Sequence, residues 1–213
     1  MKLIRSFCMA LSMYSRLPVP RVAWEEENMA YALCFFPVVG TFIGLFWLVW
    51  LVLARFLGIG QVLTAAVASL IPLAVTGGIH MDGFLDTADA LGSHAPRERM
   101  LDIMHDPHIG ASALIAGVSY MLLSFALWTQ VDAAAPALFV LALAPMLSRA
   151  LSALAVVSFK SARGDGLLAS FKKAADVKTV RVAALLWILA LAAAMLWRAP
   201  LYGGAVLLTA LVS

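Results

Sequence analysis

Three aspartates, Asp82, Asp86 and Asp89, stand at i, i+4 and i+7 in the stretch GGIHMDGFLDTADALG. On a helix advancing about 100° per residue they fall within about 60° of one another, so three carboxylates share one face. Like charges at that spacing repel, and an aspartate at membrane depth costs roughly 2.5–3.5 kcal/mol on insertion scales. Something positive must compensate, and a hard divalent cation bound by oxygen ligands is the simplest choice. Cations held in this way suit transfer of a phosphate-linked group, because they offset charge on the attacking and leaving oxygens. Gly83 removes a side chain beside the stripe, which would let a phosphate or a neighbouring helix come close. Two plainer readings compete: a solvated polar loop between two apolar segments, and a proton or cation pathway in a transporter.

The following stretch, RERMLDIMHDPHIG, places Arg99, Asp102 and Asp106 at i, i+3 and i+7 and is ended by Pro107 and Gly110. Asp106 could complete a metal site, and Asp102 could instead orient Arg99. His80, His105 and His108 lie close to these acids. Each is a candidate general base, set against the commoner role of a histidine as a hydrogen-bonding or interface residue. Further on, KSARGDGLLASFKK supplies Lys160, Arg163, Lys172 and Lys173. As a minimal reading these anchor the chain at anionic lipid. Arg163-Gly164-Asp165-Gly166 also has the character of a loop that contacts an anion, such as a substrate phosphate. Arg149 falls inside an apolar run and needs an acidic partner, for which a stripe carboxylate or the substrate phosphate is the natural candidate.

The elements that must position these groups are membrane helices. Of the 213 residues 63% are apolar and 13% charged, against about 45–50% and about 25% in soluble domains. The long apolar runs are 33–53, 62–76, 109–129, 135–157 and 180–197, followed by a shorter one at 202–213. The expected fold is all-α, a polytopic membrane bundle of about six segments forming one domain over residues 1–213. The pair Gly77-Gly78 marks a break after the second run. With the N-terminus inside, twelve of the fifteen Lys and Arg fall on the cytoplasmic side, as do all the acids except Asp132. Chemistry is therefore expected on the cytoplasmic face. Cys8 and Cys34 are too few for a disulfide framework or a zinc site. The first twenty residues lack a clear cleavage site and read as a retained, partly amphipathic surface segment.

Five stretches together resemble the cobalamin synthase family, the membrane-bound adenosylcobinamide-GDP ribazoletransferases of vitamin B12 assembly. They are SRLPVP at 15–20, FFPVVG at 35–40, GGIHMDGFLDTADALG at 77–92, RMLDIMHDPHIG at 99–110 and Ser148-Arg149, in the family's order. The resemblance implies Mg2+-dependent attack by a ribose hydroxyl of alpha-ribazole, or of its 5′-phosphate, on the cobinamide-linked phosphate of adenosylcobinamide-GDP, with loss of GMP. It implies an inner-membrane enzyme with a cytoplasmic active site and no nucleic-acid partner, in a homo-oligomer or a complex with other cobalamin-assembly enzymes. On this view Asp82, Asp86 and Asp89 are catalytic metal ligands with Asp106 as a fourth, and His80 joins them as a catalytic group. Arg99, Arg149, Lys160 and Arg163 would neutralise the pyrophosphate. Two departures stand out: Ala90 replaces a common Gly, and the family's later TGDxxGAxxE motif does not occur before Ser213, so a shortened chain is expected. The competing readings are a CDP-alcohol phosphotransferase, whose signature fails at its Arg, and a cation-coupled transporter, which would need polar groups on both sides.

Overall fold

The computed structural model describes residues 2–132, 136–161 and 167–212, and every regular element among them is helical. In chain order these are α1 (Lys2–Tyr14), α2 (Glu26–Met29), α3 (Phe36–Phe56), α4 (Gln61–Thr76), α5 (Ile79–Gly92), α6 (Arg97–Ile103), α7 (Ala111–Trp128), α8 (Ala137–Ser158), α9 (Leu167–Ala174), α10 (Val177–Arg198) and α11 (Pro200–Val212), with a 3-10 turn at Ala32–Phe35. Four stretches are long and apolar enough to cross a membrane: Glu26–Phe56, α7, α8 and α10. A fifth span results if the bent pair α4–α5 is counted as one, and α11 is a shorter apolar helix. The expected membrane bundle is thus observed, and its six segments are met approximately.

Large apolar side chains lie on the outside of these helices, as a bilayer permits and water would not. On α7, Leu114, Ile115, Leu122, Leu123 and Leu127 are each more than half exposed. The backbone of such a helix satisfies its own N–H and C=O groups, which is why helices can carry this surface.

The described chain forms two compact units. One comprises residues 1–49 and 132–213. Here α8 and α10 pack side by side, and the amphipathic α1 buries Met9, Ala10 and Leu11 against its neighbours. The α3 backbone reaches that of α8 where Gly40 meets Pro145 and Met146: a Cβ at residue 40 would stand 2.5 Å from their backbone atoms. The FFPVVG stretch therefore owes its glycine to a close helix crossing. Tethers complete the unit: Trp187 Nε1 donates to the Cys34 carbonyl, and Lys2 pairs with Glu27 at 3.2 Å on the exposed surface.

The other unit, residues 50–131, holds the end of α3 together with α4 to α7. Trp50 Nε1 donates to the Thr64 carbonyl at 2.9 Å, and Gln61 Nε2 donates to the Thr129 carbonyl. At the close of α4 both Gly77 (φ 65°) and Gly78 (φ 84°) take left-handed conformations, which only glycine adopts cheaply. The chain turns through 96° there and continues as α5. This is the break expected at the Gly pair, and it separates an apolar helix from one that carries three acids.

Replacing Gly40 by Ala should lower thermal stability by about 1–3 kcal/mol, because rigid backbone cannot move aside. Gly204→Ala, where an added Cβ meets nothing within 4 Å, should be neutral or mildly stabilising. Unfolding of the detergent-solubilised variants measures both, and an equal response from the two would refute the close-crossing explanation.

Candidate functional site

The stripe forms as the spacing predicts: Asp82, Asp86 and Asp89 all lie on α5. They border a cleft of about 260 Å³ between α5 and the segment Ile103–Ile109, with Ala113 of α7 as part of its wall. Asp106, His105 and His108 line the same cleft. Four of the predicted carboxylates therefore come together, from elements separated by the α6 excursion.

The three stripe residues differ in surroundings. Asp82 is exposed, whereas Asp86 and Asp89 are half-buried. With three carboxylates in fourteen residues, α5 by itself is not among the four stretches long and apolar enough to cross a membrane. The Asp86 carboxyl is pushed above its ordinary range, first by desolvation and then by the neighbouring charge of Asp82, with Asp89 adding to it and His105 acting the other way. Asp89 is engaged elsewhere. Its Oδ2 accepts from the Gly110 backbone N–H at 2.8 Å, and its Oδ1 accepts from the Ala113 N–H at 3.3 Å. These are N–H groups at the start of α7, whose N-cap position is occupied by Gly110, a residue without a side chain to cap it.

Around Asp89 the two helices are in close contact. A Cβ at Gly110 would come within 2.2 Å of both Asp89 oxygens, one at Gly92 within 2.2 Å of Ser112 Oγ, and one at Gly117 within 2.8 Å of Leu85. Phe84 and Tyr120 stack obliquely with ring centres 5.7 Å apart. Gly83, by contrast, has nothing within 4 Å of an added Cβ, so among the described residues no neighbouring helix uses the space beside the stripe.

At the far wall, Asp106 Oδ1 accepts from the His108 backbone N–H at 3.0 Å and lies 2.6 Å from His108 Nδ1. These hydrogen bonds, with a contribution from Arg99, hold the Asp106 carboxyl below its ordinary range. Taken as an Nδ1–H donor, His108 presents Nε2 as its free acceptor. His105 Nδ1 lies 3.1 Å from the Leu101 carbonyl in the preceding turn.

The remaining predicted residues are not among those that line the cleft. His80 does not line it: it is half-buried in the first turn of α5, about 160° around an ideal helix from Asp82. Arg99 is exposed on α6. Arg149 is half-buried in α8 and Lys160 is exposed just beyond that helix, both in the other unit. Arg163 lies outside the described residues. His105 and His108 were flagged by sequence only for their nearness to acids. The signal that singles out His108 is the Asp-Pro-His order, which lets a turn bring carboxylate and imidazole together.

The donor chemistry fits a hard divalent cation, since Asp82, Asp86 and Asp106 offer carboxylate oxygens to one cleft. Among the described residues no three His, Cys, Asp or Glu side chains converge into a ready cage. Mg2+ does not need one, because it is commonly held by one or two carboxylates plus substrate phosphates and waters. Asp82 and Asp86, one turn apart on α5 and both lining the cleft, could supply such a pair.

Because desolvation first, and then the charges of Asp82 and Asp89, disfavour the ionised Asp86, Asp86→Asn should raise the unfolding temperature of the protein in EDTA at neutral pH. A raised folded-state pKa means that stability is fully present below the unfolded value and lost as pH rises through the folded one. The gain should therefore vanish below about pH 4, where the parent carboxylate is also protonated. A gain that persists in acid would contradict the charge explanation.

Comparison with known proteins places this arrangement in context. A family model described as cobalamin-5-phosphate synthase matches residues 6–213. A protein of Lachnoclostridium phytofermentans named adenosylcobinamide-GDP ribazoletransferase is 40% identical over 212 residues, covering 100% of this chain and 80% of its own. Proteins of the same name from Fusobacterium nucleatum (29% identical, 79% of this chain and 63% of that one) and Clostridium perfringens strain 13 (32%, 78% and 65%) are also similar. The chain thus spans somewhat under two thirds of the latter two relatives. No solved structure matches.

Proposed function

The chain belongs to the cobalamin-5-phosphate synthase family, and from that premise we propose that it is an adenosylcobinamide-GDP ribazoletransferase working at the cytoplasmic face of the inner membrane. The observation that carries the reading is the match of the whole α5–α7 region to this family together with the gathering of Asp82, Asp86, Asp106 and His108 at one cleft. Its substrates are adenosylcobinamide-GDP and alpha-ribazole or its 5′-phosphate. A ribose hydroxyl oxygen forms a bond to the cobinamide-linked phosphorus, the bond from that phosphorus to the bridging oxygen breaks, and GMP departs with the electron pair.

Mg2+, when bound, would offset the charge of the diphosphate and of the leaving group. Asp82 and Asp86 would hold it. Gly83, open on its outer side, leaves room for phosphate oxygens beside that pair. Asp106 orients the His108 ring through the 2.6 Å contact at Nδ1, so that Nε2 can take the proton from the attacking hydroxyl. Of the three histidines that the sequence offers as general base, this reading takes His108 in place of His80. Arg99, already within electrostatic reach of Asp106, together with Arg149, Lys160 and Arg163, would draw the anionic substrate in. The asymmetry of Lys and Arg supports the cytoplasmic orientation.

Purified protein should release GMP from adenosylcobinamide-GDP only when Mg2+ and ribazole are both supplied. Asp82→Asn and Asp86→Asn should each lower kcat by roughly 10²-fold or more. GMP release that ignores ribazole, or full activity of either variant, would defeat the proposal. For the proton acceptor, His108→Ala should lower kcat by about 10²–10⁴-fold and flatten its rise with pH, whereas His80→Ala should leave that profile in place. The reverse pattern would return the role to His80.

A further inference from the structure

We infer that Asp89 is a positioning residue rather than a metal ligand: its carboxylate caps the start of α7 from α5, and this clasp sets the distance and rotation at which Asp82 and Asp86 face the cleft. Through its link to catalysis the inference rests on the reading above; its structural half stands alone.

The first four N–H groups of a helix lack intrahelical partners, and a residue such as Ser, Thr or Asp at the N-cap usually supplies an acceptor. In α7 the N-cap is Gly110, which has none to give. Both oxygens of Asp89 fill that need from 21 and 24 residues away. An anionic acceptor there also meets the positive end of the helix dipole, so charge and hydrogen bonding act together. Gly110 is required for a second reason. Its φ of −89° suits any residue, but a Cβ there would overlap both carboxylate oxygens at 2.2 Å. The glycine and the aspartate therefore work as a pair across the helix interface.

Leu85 against Gly117, and Gly92 against Ser112, extend the contact one turn to either side of Asp89. Along α5, Leu85, Asp89 and Gly92 make one stripe at i, i+4 and i+7, and Asp82, Asp86 and Asp89 make another. Asp89 is the member common to both. Rotating α5 to turn Asp89 away from α7 would break both hydrogen bonds, whereas Asp82 and Asp86 line the cleft on the preceding turns of the same helix.

The test separates a cap from a ligand by sign. In EDTA at neutral pH, Asp89→Ala should lower the unfolding temperature by about 2–4 °C, with Asp89→Asn intermediate because its amide oxygen restores one acceptor. Gly110→Ala should destabilise the parent and have little further effect in the Asp89→Ala background, where the opposing carboxylate is gone. With substrates added, Asp89→Asn should reduce kcat at an unchanged half-saturating Mg2+ concentration, while Asp86→Asn should raise that concentration at least about tenfold. The inference is overturned if Asp89→Asn stabilises the EDTA-treated protein and shifts the Mg2+ dependence as Asp86→Asn does, or if Gly110→Ala costs the same in both backgrounds. Should the parent show no turnover of adenosylcobinamide-GDP, the functional reading fails, and the unfolding temperatures still decide the role of Asp89.

Discussion

The contact on which the acidic region depends is the one between the Asp89 carboxylate and the first N–H groups of α7. A helix N-terminus at the edge of an apolar span cannot leave its donors unsatisfied, since each such group costs several kcal/mol away from water. A carboxylate in a repulsive cluster likewise needs positive potential near it. The two needs answer one another here, and α5, which turns away from α4 at two glycines, is held against α7 by the result.

That arrangement divides labour within a stripe of identical residues. Asp89 faces helix donors, Asp86 is crowded by its neighbours' charge, and Asp82 stands in the open. Across the cleft, Asp106 Oδ1 accepts from the His108 backbone N–H and lies against its Nδ1, which orients an exposed ring. Chemistry that relies on a diphosphate and a cation needs few protein ligands, and the region supplies few, backed by rigid helix contacts.

Much of this was legible in the residues. Apolar runs became helices within a few positions of their expected ends, Gly77-Gly78 became the break, and the i, i+4, i+7 spacing became a shared face. Local rules suffice for such features, because they depend on neighbours along the chain. The role of Asp89 depends on a partner more than twenty residues away and could not be read from spacing alone. A clue was present nonetheless: an apolar helix beginning after Pro107, His108 and Ile109 at Gly110 has no capping side chain of its own, so an acceptor had to come from elsewhere. The same 100° rule that aligns the aspartates places His80 on the opposite side of α5, and His80 is not among the residues that line the cleft.

The outward face of α7 carries a further implication. Its uncovered leucines and isoleucine begin at Leu114 and Ile115, within one turn of the residue that receives Asp89. Uncovered apolar surface and carboxylate thus meet within one helical turn, so any reactant held at these acids would have an oily wall beside it, and one with a bulky apolar part would rest that part there.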